Sequence, residues 1–158
     1  MRNAKHNGVD VAAIVSDGLS AVTKTNYDII VANCPIVPTE LSTTQNTPID
    51  NGSDGFRLWN NVVAEAGRYL APHGSLFVSL PDWSQHYADC VSHMRTWWRY
   101  YEVVATVEYS LSKTGAFGGL YSKEPEQGPS LAEYLTLVGK EYWSSTNFIR
   151  LCDPRVKL

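Results

Sequence analysis

Residues Tyr27–Pro38 read YDIIVANCPIVP, and this stretch decides the fold. Tyr27 to Ala32 is short, rich in β-branched residues and nearly continuous in hydrophobicity, which marks a strand. A strand with so little polar alternation is expected to be covered on both faces, as in a parallel sheet. It stops at Asn33-Cys34-Pro35, because Pro35 cannot donate to a ladder and restrains the residue before it. Ligands of α/β sheets bind at the carboxyl ends of such strands, so this turn is a candidate site.

Working outward, Thr39 to Ser53 is a polar loop rich in Thr, Asn and Pro. A helix is expected to start at Ser53 or Asp54, either of which can cap it. Trp59, Val62, Val63, Ala66, Tyr69 and Leu70 fall on one face at helical spacing. Pro72-His73-Gly74 is expected to end that helix, and Ser75 to Leu80 (SLFVSL) to form another buried strand. A second helix is predicted from Asp82 to about Trp98, with Tyr87, Cys90, Val91, Met94 and Trp97 inward. Trp97-Trp98 with Tyr100-Tyr101 is expected to pack against the sheet. A strand is predicted at Tyr101 to Leu111. The loop from Ser112 to Pro129 holds four glycines and two prolines, and part of Leu131 to Trp143 reads as a last strand. Upstream, Val9 to Val15 (VDVAAIV) is expected to be a buried strand closed by the turn Ser16-Asp17-Gly18. The order strand, strand, helix, strand, helix, strand, loop, strand gives an α/β sandwich. One domain over residues 1–158 accommodates it: a core over 1–111, a flexible loop over 112–130, then the last strand and tail over 131–158.

Composition fits a soluble globular chain, with 44% hydrophobic and 18% charged residues. The net charge of -3, with 13 basic residues scattered among 16 acidic ones, argues against a nucleic-acid substrate. Cys34, Cys90 and Cys152 form no CxxC pair, so neither a disulfide framework nor a zinc site is expected, and the reading is a reducing, cytoplasmic setting. The four histidines show no HxH or HExxH spacing, so no metal is expected. No histidine is placed to activate Cys34 as a nucleophile, and a small buried hydrophobe is its expected role. No apolar run approaches the ~20 residues that span a bilayer, so no membrane partner is expected.

The chain resembles the C-terminal portion of a class I S-adenosylmethionine-dependent methyltransferase. YDIIVANCPIVP is similar to the motif IV region of the amino-group methyltransferases, where a hydrophobic strand ends in Asn-Pro-Pro-Tyr or Asn-Pro-Pro-Phe. DGFRLWNNVVAEAGRYLAPHGSLFVSL resembles the helix, L-x-P-x-G turn and fifth strand of that fold. NAKHNGVDVAAIVSDGL resembles the end of its second helix and its third strand. Together these cover Asn3 to about Leu80, and the pattern comes nearest to the release-factor glutamine methyltransferases and the small-domain methyltransferases. The resemblance implies a Rossmann-like sheet and S-adenosylmethionine as cofactor.

It also implies residue roles. Asn33 and the backbone carbonyl of Cys34, held open by Pro35, would accept the N–H bonds of an amide or amine and aim its lone pair at the methyl group. That is catalysis by positioning and electrostatic stabilisation. Asp17 and Gly18 would lie by the adenine of the cofactor, with Asn33 nearby. Two departures bear on this. Cys34 replaces the first proline, and Ile36 stands at the substrate-binding position of the aromatic, where stacking on a base is worth roughly 1–3 kcal/mol. A third concerns the cofactor half. The family's glycine-rich first strand and its second strand with a ribose-binding acid would precede Asn3, so the resemblance implies an incomplete sheet in an N-terminally truncated member. Gly115-Ala116-Phe117-Gly118-Gly119 invites a circular permutation, but the acidic residue before it and the helix after it are missing.

The functional expectation is transfer of a methyl group to nitrogen on a protein or small molecule. The alternative is a non-catalytic, methyltransferase-like fragment or partner-binding module. In that case a homodimer or a second chain would complete the sheet and the cofactor site, because an open edge leaves backbone groups unpaired.

Overall fold

The computed structural model describes residues 2–23, 25–36, 52, 54–82, 87–110 and 143–155. A short helix, α1 (Arg2–His6), leads through irregular chain to β1 (Tyr27–Ala32). Helix α2 (Arg57–Glu65) runs into a 3-10 turn over Ala66–Arg68 and then β2 (Leu70–Pro81). Helix α3 (Tyr87–Trp97) passes directly into β3 (Trp98–Ser110), and β4 (Trp143–Pro154) closes the order. The four strands form one sheet in the order β1-β2-β4-β3. Strand β1 is parallel to β2, with Ile30 beside Leu76 and Ala32 beside Val78. Strand β4 enters antiparallel between β2 and β3, with Ile149 beside both Val78 and Val103. The result is the mixed α/β, Rossmann-like arrangement expected from the Tyr27 stretch.

Helices α2 and α3 cover one face of this sheet. Trp59, Val62, Val63 and Ala66 are buried as the helical spacing requires, against Leu76, Val78 and Leu80 of β2 and Ile149 and Leu151 of β4. Cys90 and Met94 of α3 and Trp98 at the start of β3 complete the core. The two buried tryptophans also tie layers together: Trp59 Nε1 donates to the Ser79 carbonyl at 3.0 Å and Trp98 Nε1 to the Val63 carbonyl at 2.9 Å. Each bond satisfies a buried donor that would otherwise be costly.

Several expectations are corrected. Val9–Val15 is not a strand: it makes no ladder among the described residues, and Val9, Val11, Ile14 and Val15 stand in solvent. An apolar run becomes a strand only where a neighbour takes its backbone groups. Strand β1 is parallel but is not covered on both faces among the described residues, where Ile29 and Val31 are 61% and 75% exposed. Helix α2 starts at Arg57, three residues beyond Asp54, whose Oδ1 instead accepts from the Phe56 amide at 2.9 Å. It ends at Glu65, so Pro72-His73-Gly74 does not stop a helix but lies in β2. There the ladder slips, because Tyr27 pairs with Leu70 while Ile29 pairs with Ser75. A Cβ on Gly74 would stand 2.6 Å from the Tyr27 carbonyl oxygen, which is why glycine occupies this bulge. The strand expected within Leu131 to Trp143 lies outside the described residues up to 142. The described last strand, Trp143–Pro154, lies mostly in what was expected to be the tail. The loop from Ser112 to Pro129, with Gly115 to Gly119, also lies outside the described residues.

Candidate functional site

The carboxyl end of β1 places Asn33 one residue beyond Ala32, the last paired residue of the strand. Alternation at the strand end sends neighbouring side chains opposite ways. Asn33 is exposed, whereas Cys34 is buried in the core beside α2 and α3. Burial pushes the Cys34 thiol up to about 11, so at neutral pH it is protonated and no nucleophile. Pro35 and Ile36 are half-buried, and Ile36 packs against the core.

Asn33 does not hang free. The Ser79 hydroxyl, on the neighbouring strand β2, donates to Asn33 Oδ1 at 3.1 Å. Ser79 is itself buried, and its carbonyl is the one held by Trp59. The amide thus stands at the mouth of a cleft of about 310 Å³ on the sheet face away from α2, walled by Val31, Phe77, Val104 and Phe148. This cleft is apolar except where Asn33 and Ser79 enter it.

Asp17 and Gly18 lie elsewhere, against the outer side of α2. Gly18 takes a φ of 58°, and a Cβ there would meet Leu58 Cδ1 at 3.2 Å, so the turn is shaped for glycine. With Leu19, Leu58, Asn61 and Glu65 they line a smaller cleft of about 140 Å³. The Asp17 carboxylate is largely in water, 3.8 Å from the Arg57 guanidinium. Asn33 lines the larger of these two clefts and Asp17 the smaller, and among the described residues no hydrogen bond or ion pair joins them. Asn33, Cys34 and Pro35 are brought together at one strand end, and Asp17 with Gly18 at one turn.

The residue missed from sequence is Ser79. Its signal was the serine in SLFVSL, two places from Phe77 on the face opposite Leu76, Val78 and Leu80. Among the described residues no three His, Cys, Asp or Glu side chains gather as metal ligands. None of the described helices is long and apolar enough to cross a membrane.

A parallel strand pair in a mixed α/β sheet and an Asn at the carboxyl end of β1 agree with the methyltransferase resemblance. Residues 1–111 match the methyltransferase small domain. The chain belongs to that family. Two curated relatives of this methyltransferase-family chain are release factor glutamine methyltransferases. The one from Geobacter sulfurreducens is 32% identical over 88 residues, and the one from Agrobacterium fabrum is 29% identical over 90. Each match takes in 50% of this chain and 31% of the relative, so the chain aligns with under a third of either. No solved structure matches it. Family membership implies use of S-adenosylmethionine. Among the described residues Asp17 offers an exposed carboxylate and Gly18 a tight turn beside Leu58, at the place where the resemblance expects the adenine. No glycine-rich strand turn for the rest of it is found among them.

Proposed function

We propose that this chain carries the acceptor side of an S-adenosylmethionine-dependent N-methyltransferase acting on an amide or amine nitrogen of a protein or small molecule. The observation that carries the reading is Asn33: an exposed side-chain amide at the carboxyl end of a parallel strand, with its oxygen held by Ser79. An amide nitrogen is a poor nucleophile because its lone pair is delocalised. Asn33 Oδ1 and the Cys34 carbonyl accept its two N–H bonds and turn the lone pair out of the carbonyl plane, while Pro35 keeps the backbone from closing on itself. When bound, S-adenosylmethionine would supply a methyl group on a sulfonium sulfur; the nitrogen lone pair would form the new bond, the carbon–sulfur pair would stay with sulfur, and the nitrogen's proton would pass to water. Asp17 would accept the adenine amino hydrogens and Gly18 would let the ring approach the backbone. Ile36, in the place of the aromatic, adds apolar contact without stacking, which favours a side-chain amide over a nucleobase. The relatives' names point to a protein glutamine as the first acceptor to try. The free thiols Cys34, Cys90 and Cys152 favour a cytoplasmic setting.

The test is transfer of labelled methyl from S-adenosylmethionine to a peptide with a single glutamine, by the wild-type chain and by Asn33→Ala. Transfer that falls at least a hundredfold in Asn33→Ala supports the reading; equal transfer by both would sink it.

A second reading is favoured by the uncovered face of the sheet. Ile29, Val31, Val104 and Phe148 are exposed there, and contiguous apolar surface marks an interaction site. On this reading another copy or a second chain completes the cofactor site, or the module only binds a partner. Calorimetric titration with S-adenosylmethionine separates the two. Micromolar affinity, about -8 kcal/mol, in a chain that sediments as a monomer supports a site formed by this chain alone, whereas affinity confined to a dimer, or no binding up to millimolar, supports the second reading.

A further inference from the structure

Ser79 lies outside the Asn33-Cys34-Pro35 turn, on a different strand and 46 residues away in sequence. We propose that Ser79 is the positioning residue that holds the Asn33 amide still before the acceptor, an inference that rests on the function proposed above.

The argument begins with the asparagine side chain. Its final torsion is broad and roughly two-fold, so an exposed Asn presents its oxygen or its NH₂ with little preference. Only the oxygen can accept an N–H bond from the acceptor; the NH₂ in that place would set donor against donor. Asn33 is exposed, and among the described residues its side chain is bonded to Ser79. Ser79 tethers it. Its hydroxyl is buried and donates to Asn33 Oδ1 at 3.1 Å. An amide oxygen has two lone pairs, so Ser79 occupies one and leaves the other for the acceptor nitrogen.

Ser79 is fixed in turn. Its carbonyl accepts from Trp59 Nε1 at 3.0 Å, and its strand runs between β1 and β4 with Ser79 beside Phe148. The geometry also explains the polarity of SLFVSL. Leu76, Val78 and Leu80 face the core, while Ser79 faces the cleft beside Val31 and Phe77, and its hydroxyl supplies the bond that tethers Asn33.

The test compares wild type, Ser79→Ala and Ser79→Thr in the full chain. Its first readout is the heteronuclear NOE of the Asn33 side-chain amide in a chain labelled with nitrogen-15 asparagine. A high value in wild type and Ser79→Thr with a drop in Ser79→Ala supports the proposal; a low value already in wild type overturns it. The second is kinetics with the single-glutamine peptide. Ser79→Ala is expected to lower kcat roughly three- to tenfold, about the cost of ordering one loose polar side chain. The KM for S-adenosylmethionine should stay unchanged, and Ser79→Thr should recover kcat. If wild type transfers methyl and Ser79→Ala matches its kcat, the positioning role fails alone. If wild type transfers none, the proposed function fails and takes the positioning role with it.

Discussion

Asn33 and Cys34 are neighbours in sequence with opposite fates, one in water and one in the core, and each has its own test. The Cys34 thiol is pushed up to about 11 and the Cys90 thiol to about 12, both chiefly by burial, from an ordinary 9.0. The folded chain therefore keeps these protons where the unfolded chain releases them, so stability is complete below about 9 and lost as pH rises towards 11–12. Urea midpoints measured from pH 7 to 11 should hold steady and then fall, and Cys34→Ala should weaken the fall. A midpoint that rises above pH 9 would contradict the burial of both thiols. Gly74 gives a second test. Gly74→Ala sets a methyl 2.6 Å from a backbone oxygen, and overpacking of this kind costs about 1–3 kcal/mol, to be read as a lowered urea midpoint at constant slope. At this scale the sequence was readable where chemistry is local. Asn33-Cys34-Pro35 announced a turn, and Cys34 its burial. Ser79 was not readable, because its importance lies in a partner on another strand that only the β1–β2 register brings within reach.

Elements were legible in proportion to how much of their pattern they carry themselves. The inward faces of α2 and α3 follow from spacing alone, since Trp59, Val62, Val63 and Ala66, like Cys90 and Met94, repeat at helical intervals. Val9–Val15 misled because an apolar run is the same string of letters whether or not a neighbouring strand exists to pair with it. Strand β4 was missed for the converse reason. Ile149 and Leu151 face the core while Phe148, Arg150 and Cys152 face away, an alternation too brief to stand out beside the polar Ser144 to Asn147. Arg150 nonetheless finds Ser75 Oγ at 3.1 Å and Glu102 at 3.0 Å, bonds that cross to both neighbouring strands. The element-scale prediction concerns the joint between α2 and β2. Trp59→Phe keeps most of the packed ring but deletes the donor to the Ser79 carbonyl. It should cost about 1–3 kcal/mol and also lower the Asn33 side-chain NOE, because the strand that carries Ser79 loses its anchor. A destabilised variant with an unchanged NOE would show that Ser79 is held by the sheet ladder alone.

At the scale of the whole molecule the sheet is one-sided among the described residues. Helices α2 and α3 bury one face, and the other shows Ile29, Val31, Val104 and Phe148 to solvent. Burying apolar surface is worth about 25 cal/mol per Å², so even partial cover of such a face by a second copy competes with the entropy lost on association. The same face holds the cleft that Asn33 and Ser79 border, so whatever covers it also controls access to the candidate site. The isolated chain is therefore expected to enhance the fluorescence of a hydrophobic dye and to gain mass with concentration in sedimentation velocity. Val31→Lys combined with Val104→Lys should abolish both effects and leave the far-ultraviolet circular dichroism unchanged, since neither side chain reaches the core. If the double variant also loses S-adenosylmethionine binding that wild type shows, association builds the cofactor site. If binding survives in the monomeric variant, the chain forms that site unaided and the apolar face serves a partner or the acceptor.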